Sequence, residues 1–514
     1  MHSLKRSFSL ALLAAVLLAS AGHAGVADAK FRAAGASGIP NRYIVVLEPD
    51  ELKAGTDDIA ALREVTTVRK ELEGIYKIKS GKVWSHAVKG FVIEATEDVA
   101  RRLARDPKVL SVEQDAAVPI DKAVSSVAPY CATQCLGPTD PLLTTSLPNN
   151  TRAFPTSPQS INCSNPDPGS LATCIDNWGL DRSDQTLLPR DGFYNFTHSG
   201  SGVHVYVVDI GILSNNREFT GRIGTGVNEI TAGGSLEDCS CYHHGAAVAS
   251  VVGGSTFGIA KGVTLHPVKI IDFCVSPPIG PTVSTYVSAF DWIIQDHTTV
   301  SAGPAVVNLS GANWPEYVGT VAFANSVKSV IQHGISFVQS AGNQGDDACT
   351  YSVHSPDPTV NVPDAIVAGG YTELHVDGPL RNGRWVADYS DPLYGGTSTT
   401  FGECVHRAPG ARPDYCGSNY GSCVSLWAPS QYIITAGWDQ DPSHTGAYCL
   451  FTGTSFAAPH TTGAVALYLQ SHPTATPAQV KAALVAGAVP NVLQSSGANS
   501  INAGSPNLLL QVVP

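Results

Sequence analysis

No cysteine occurs before residue 131 of this 514-residue chain, and all twelve follow that point. Charge is scarce over the same later stretch. Residues 123–514 carry 13 Lys/Arg and 27 Asp/Glu, a net of −14, whereas residues 25–122 carry 16 of each in only 98 positions. Two differently built regions therefore meet near residue 122. A sparsely charged, acidic region offers no basic surface for nucleic acid. Long apolar runs are also missing. The run Phe8–Leu18, preceded by Lys5 and Arg6 and followed by Ala19-Ser20-Ala21 and Gly22-His23-Ala24, is too short for a membrane span and reads as a secretory signal peptide over 1–24. No membrane partner is expected, and the product is read as exported, soluble and monomeric. An even cysteine count behind a signal peptide argues for disulfides, with the pairing left open. Cys239-Ser240-Cys241 and the pair Cys131 and Cys135 lack a matching His/Cys cluster, which argues against zinc. No EF-hand-like loop is present, so no metal ligands are named.

What is present falls into order along the chain. Asn41–Leu47, Gly90–Ala95 and Val109–Glu113 read as strands, and Asp57–Leu72 and Glu97–Arg105 as helices. They make a small α+β unit within 25–122, which directly after a signal peptide reads as a pro-segment. Residues 123–175 are rich in Pro, Ser, Thr and Asn and hold four cysteines, which predicts a disulfide-pinned extension with little regular structure.

From 176 to 514 the texture is α/β. Strands are predicted at Val203–Val208, Val263–Ile271, Ala305–Leu309 and Ile335–Ser340, with helices at Gly245–Val252, Ser284–Gln295 and Val318–Gln332. That alternation implies a mostly parallel sheet covered on both faces, with ligands at the carboxyl ends of its strands. Val386–Tyr448 reads as loop, tied down by Cys404, Cys416, Cys423 and Cys449, and Thr476-Pro477 as a helix start.

Four residues stand where chemistry is placed. Asp209 ends an apolar strand. His244 opens a helix of small residues, with His243 beside it as the rival base. Asn343 sits in the loop Ser340-Ala341-Gly342-Asn343. Ser455 lies at the start of an almost uncharged helical run, where free backbone N–H groups and the positive end of the helix dipole suit a nucleophile whose attack creates an oxyanion. Singly, each has an ordinary structural reading as a cap or turn residue.

The order Asp, His, Ser resembles that of subtilisin-type triads. Val205–Ile212, His244–Ala249, Phe257–Gly262, Ala341–Asn343 and Gly453–His460 resemble successive motifs of the subtilisin-like serine proteases, and of their proteinase K branch in particular. Trp178–Arg182 resembles the start of that catalytic domain, and 41–115 its inhibitory pro-segment. The resemblance implies an α/β, subtilisin-like three-layer fold with a mostly parallel central sheet, preceded by a small α+β pro-segment. It implies a secreted, broadly specific endopeptidase with Asp209, His244 and Ser455 as triad and Asn343 as oxyanion donor. Protein or peptide substrates would pair with Ser310, Gly311 and Ala312. The pro-segment would act as an intramolecular inhibitor, removed by self-cleavage within 113–130. No catalytic cofactor is implied; structural calcium is.

Two departures stand out: Ile210 where the family usually has Thr or Ser, and Ala246-Ala247 where it usually has Thr-His. They are the only support for a rival reading, a secreted binding protein on an inactive protease scaffold. A second rival is an esterase or transacylase with the same triad; the lack of a Gly-x-Ser-x-Gly elbow around Ser455 argues against an ordinary lipase.

Overall fold

The computed structural model of the chain describes residues 30–48, 58–117, 177–186, 193–240, 243–311, 314–371, 418–430, 433–436, 453–494 and 504–512, with strand segments at 135–136, 159–162, 385–386 and 448–451. The signal peptide, most of the 123–175 extension and Ala312 lie outside the described residues.

The N-terminal unit runs β1 (Phe31–Arg32), β2 (Gly38–Leu47), α1 (Asp58–Tyr76), β3 (Lys79–Trp84), β4 (Gly90–Glu94), α2 (Glu97–Leu103) and β5 (Val109–Ala116), with sheet order β1-β5-β2-β4-β3. Its long strand β2 shows why the unit does not stand apart. Side chains alternate across a strand. Tyr43, Val45 and Leu47 pack with Val65 and Leu72 of α1, whereas Ile44 and Val46 join the core of the larger unit, with Trp84 and Val92. Strand β3 is not evident in the sequence because Ser80-Gly81-Lys82 interrupts its pattern and its pairing with β4 is irregular.

The larger unit is built on a nine-stranded sheet. Its elements are β6 (His204–Asp209), β7 (Val227–Asn228), α3 (His244–Gly253), β8 (Thr264–Lys269), α4 (Val283–Thr299), β9 (Ala305–Leu309), α5 (Val321–Gln332), β10 (Ser336–Ser340), β11 (Ile366–Tyr371), β12 (Leu426–Pro429), α6 (Thr454–Ser471), α7 (Pro477–Gly487), β13 (Val489–Pro490) and β14 (Leu508–Leu509). The strand order is β7-β8-β6-β9-β10-β11-β12-β14-β13, and every described pair is parallel except β13 with β14.

The chain leaves β6 in one direction, through α3 to β8, then crosses back through α4 to β9 on the other side. Right-handed crossovers put α3 and α4 on opposite faces of the sheet. The reversal makes a switch point between β6 and β9, where the carboxyl ends of the strands open a crevice. The register pairing Val208 with Leu309 brings Asp209 level with Ser310 there.

Helix α6 is buried on almost all sides, including Phe456 to Leu467. Two expectations are corrected. The predicted helix Val318–Gln332 is broken at Gly319-Thr320; Pro315–Val318 forms its own turn, and Thr320 caps α5 by accepting from the Phe323 N–H at 3.2 Å. The stretch read as loop contains β12, a strand inside the sheet; four residues ending in proline carry too short a pattern to register. The pairing that the sequence left open is given for two bridges among the described residues: Cys423 bonds Cys349, and Cys239 bonds Cys274.

The two units are joined by buried carboxylates. Glu113 accepts from the N–H groups of Val321 and Ala322 at 2.8 and 2.9 Å, and Asp115 from the Ser284 N–H and hydroxyl at 3.1 and 2.6 Å. These are orphan donors in the first turns of α5 and α4, where negative charge is favoured. In return Asp291 of α4 accepts from the N–H groups of Ser85, His86 and Ala87 at 2.7–3.1 Å. Trp84 donates its indole N–H to Ser288 at 2.8 Å.

Candidate active site

Asp209 is the last residue of β6 and is only 5% exposed. Its carboxylate faces the His244 Nδ1 at 2.9 and 3.0 Å and accepts the Ile210 backbone N–H at 2.8 Å. That third contact comes from the main chain, so isoleucine at 210 leaves it intact. His244 begins α3, and the helix can lie this close only because glycine follows. A Cβ on Gly245 would sit 2.1 Å from the Gly211 carbonyl oxygen and 3.2 Å from Asp209 Oδ1.

Since an ionised carboxylate only accepts, Nδ1 of His244 carries the proton and Nε2 is the accepting nitrogen. Burial pulls the His244 pKa down, but the charge and hydrogen bond of Asp209, with the charge of Asp238, hold it above the ordinary histidine value. Neighbouring His243 is turned away: its backbone is left-handed and its Nδ1 faces the Asp238 carbonyl at 3.2 Å.

The other half of the site comes from α6. Gly453, at φ 144°, holds a conformation that favours glycine and turns the chain sharply into the helix. Ser455 then falls in the first turn, and the His244 ring packs edge-on against Phe456, the next residue, at 5.9 Å between centroids. The Ser455 hydroxyl donates to the Ser310 carbonyl at 3.2 Å.

Asn343 follows β10. Its Oδ1 accepts from the Thr454 N–H at 2.8 Å and the Thr454 hydroxyl at 2.9 Å. A backbone N–H can only donate, so the oxygen end of the amide is fixed there and Nδ2 is its donor end.

Several bonds that support the site are not evident from the motifs. Pro459 lies inside α6 and has no N–H to give the carbonyl four residues earlier, which is that of Ser455. The Ser310 hydroxyl takes its place at 2.8 Å. Ser310 is in turn held by Asn308 Nδ2 at 3.0 Å, and Asn308 Oδ1 accepts from Thr462 at 2.9 Å. A proline four residues after the serine is the one sequence signal that could have pointed to this chain of bonds. Gly311 follows Ser310 at the crevice. Among the described residues no group of three or more His, Cys, Asp or Glu side chains could hold a metal ion, so the implied calcium finds no such ligand set there. No described helix is long and apolar enough to cross a membrane.

Known proteins resemble this chain. The Subtilase family model matches residues 200–504, and the peptidase inhibitor I9 model matches residues 42–121. The extracellular serine proteinase of Thermus sp. (strain Rt41A) is 35% identical over 92% of this chain and 89% of that protein. The alkaline proteinase of Hapsidospora chrysogena is 30% identical over 66% of this chain and 69% of that protein. The crystal structure of fervidolysin from Fervidobacterium pennivorans, a keratinolytic enzyme related to subtilisin, aligns with a TM-score of 0.53 at 17% identity, over 91% of this chain and 61% of that one, a likeness of fold alone. The chain belongs to the subtilase family of serine proteinases and carries an I9 inhibitor as its pro-segment.

Proposed function

We propose that the protein is a secreted, broadly specific serine endopeptidase made as a self-processing zymogen: signal peptide 1–24, inhibitory pro-segment 25–122, extension 123–175 and peptidase domain 176–514. The observation that carries the triad reading is the short pairing of His244 Nδ1 with both oxygens of Asp209 beside the first turn of the Ser455 helix. His244 takes the Ser455 proton as the hydroxyl attacks the substrate carbonyl, then returns it to the leaving amine. Asp209 fixes the tautomer and stabilises the imidazolium. Asn343 Nδ2 and the Ser455 backbone N–H receive the oxyanion. Substrate pairs as an added strand along Ser310, Gly311 and Ala312, through backbone groups that tolerate many side chains.

The pro-segment is engaged as far as Ala117, which bridges antiparallel to Thr282. We place the self-cleavage beyond Ala117, within the window ending at 130. Relatives named as extracellular support export, and no catalytic cofactor is required.

The test is secretion of the wild type beside Ser455→Ala, read by intact mass, casein hydrolysis and labelling with a serine-reactive phosphonate. The wild type should lose its first 117–130 residues, cut casein and take the label, while the variant stays at the mass of the unprocessed zymogen. A wild type that keeps its pro-segment, cuts nothing and takes no label would remove the protease reading and leave an inactive scaffold.

A further inference from the structure

Helix α3 begins without a cap of its own. Its N-cap residue, His243, offers no side-chain bond to the first turn. The bond comes instead from Asp238, five residues further back, whose Oδ2 accepts the Ala246 N–H at 3.1 Å. Asp238 is 1% exposed, and its other oxygen accepts from the Ser240 N–H and hydroxyl at 3.0 and 2.6 Å. The Ser240 hydroxyl accepts the His243 N–H at 2.9 Å, and the Asp238 carbonyl faces His243 Nδ1. The next residue, Cys239, is bonded to Cys274.

We infer that Asp238 is a positioning residue for His244: a buried carboxylate that caps the first turn of α3, fixes the imidazole against Asp209 and adds a second negative charge to the site. The inference rests on the triad reading given above. The charge acts on His244 in the same sense as that of Asp209. Other ionisable groups around the ring do not cancel it. Tyr286 of α4, on the Asp209 side, is kept neutral by burial. The buried cation nearest this loop, Lys269, is bound to Asp272 at 3.0 Å and to the Glu237 carbonyl at 2.8 Å. His243 is committed to the Asp238 main chain.

Asp238→Asn tests this because no amide orientation satisfies both sides. One oxygen position faces the Ala246 N–H and the other the Ser240 N–H, both obligate donors. Measured on the processed enzyme with a peptide amide substrate, Asp238→Asn should lower kcat about 10-fold or more with KM little changed, since small displacements of a catalytic group cost up to ~10²-fold. It should also move the acid limb of kcat/KM to lower pH. Ser240→Ala keeps the charge and the Ala246 bond, and should lower the melting temperature while leaving the acid limb in place. An Asp238→Asn enzyme with wild-type kcat and acid limb overturns the inference. So does failure of Asp238→Asn to be secreted on a Ser455→Ala background, which would mark the residue as structural only. Activity surviving in Ser455→Ala itself would instead overturn the triad reading.

Discussion

Ser310→Ala should loosen Ser455 from behind. Pro459 denies the Ser455 carbonyl its helical donor, and the Ser310 hydroxyl is the replacement at 2.8 Å. Removing that hydroxyl leaves a part-buried acceptor unmet, at a cost of about 1–3 kcal/mol. It also strips Asn308 Nδ2, which is fully buried, of its acceptor. Together the losses come to about 2–6 kcal/mol of stability. The share that appears as misplacement of Ser455 is expected to lower kcat about 10-fold, equivalent to about 1.4 kcal/mol. The decisive arm is Pro459→Ala, which returns an N–H to the helix. In that background the penalty of Ser310→Ala should shrink by about 1–2 kcal/mol, a coupling of the size seen between residues that share a partner. Stability is read by urea unfolding of the four Ser455→Ala zymogens, and kcat by amide hydrolysis with the four active enzymes. Strict additivity of the two substitutions in both assays would refute the idea that they serve one carbonyl.

Other tests follow from the same geometry. Asn343→Ala should reduce kcat by about 10²–10³ with little change in KM, the size known for such a donor in a subtilisin of this family rather than one worked out from this chain. The acid limb of kcat/KM should lie above the ordinary histidine value, because Asp209 and Asp238 favour protonated His244 and the base works only when neutral; a limb below that value contradicts the assignment. Glu113→Gln and Asp115→Asn should each weaken pro-segment inhibition about 10-fold, shortening the lag before casein hydrolysis, since each replaces one of two accepting oxygens at a helix start with an amide nitrogen. His266 and His460 are buried and held near a pKa of about 4, chiefly by desolvation. The unfolded chain binds protons there that the folded chain does not. Stability should therefore fall from about pH 6.5 down to about 4, by about 1.4 kcal/mol per pH unit for each residue, then level off. A flat urea midpoint across that range would show these histidines to be accessible.

The sequence was most readable where structure is set by neighbours in the chain. Ala305–Leu309 was bounded correctly because an unbroken apolar run suits a strand buried on both faces. Thr476 and Gln479 form the capping box that a Thr-Pro start suggests. The helix containing Ser455 was visible from its lack of charge. Contacts made through space were not. Nothing local distinguishes Asp238 from any acid in a cysteine-bounded turn, yet it caps a helix whose own N-cap residue fails to. Ser310 was read as a substrate contact, and its hydroxyl serves the Ser455 carbonyl. Strand β12 is short enough that only its neighbours in the sheet define it, and Cys349 finds Cys423 across 74 residues.

The carboxylates of Glu113 and Asp115 have a consequence for lifetime. They complete the starts of α4 and α5, yet under the proposed processing they belong to the part that the finished enzyme would discard. A parallel sheet with its helices must close long loops before its contacts reward it, so its folding is slow even with those caps in place. Without them, the barrier that must be crossed on refolding is higher still, while the packed core continues to resist opening. A processed form without those caps would then be governed by how slowly it unfolds rather than by an equilibrium it can revisit. On that reading the pro-segment is a single-use scaffold, and durability after processing is a half-life.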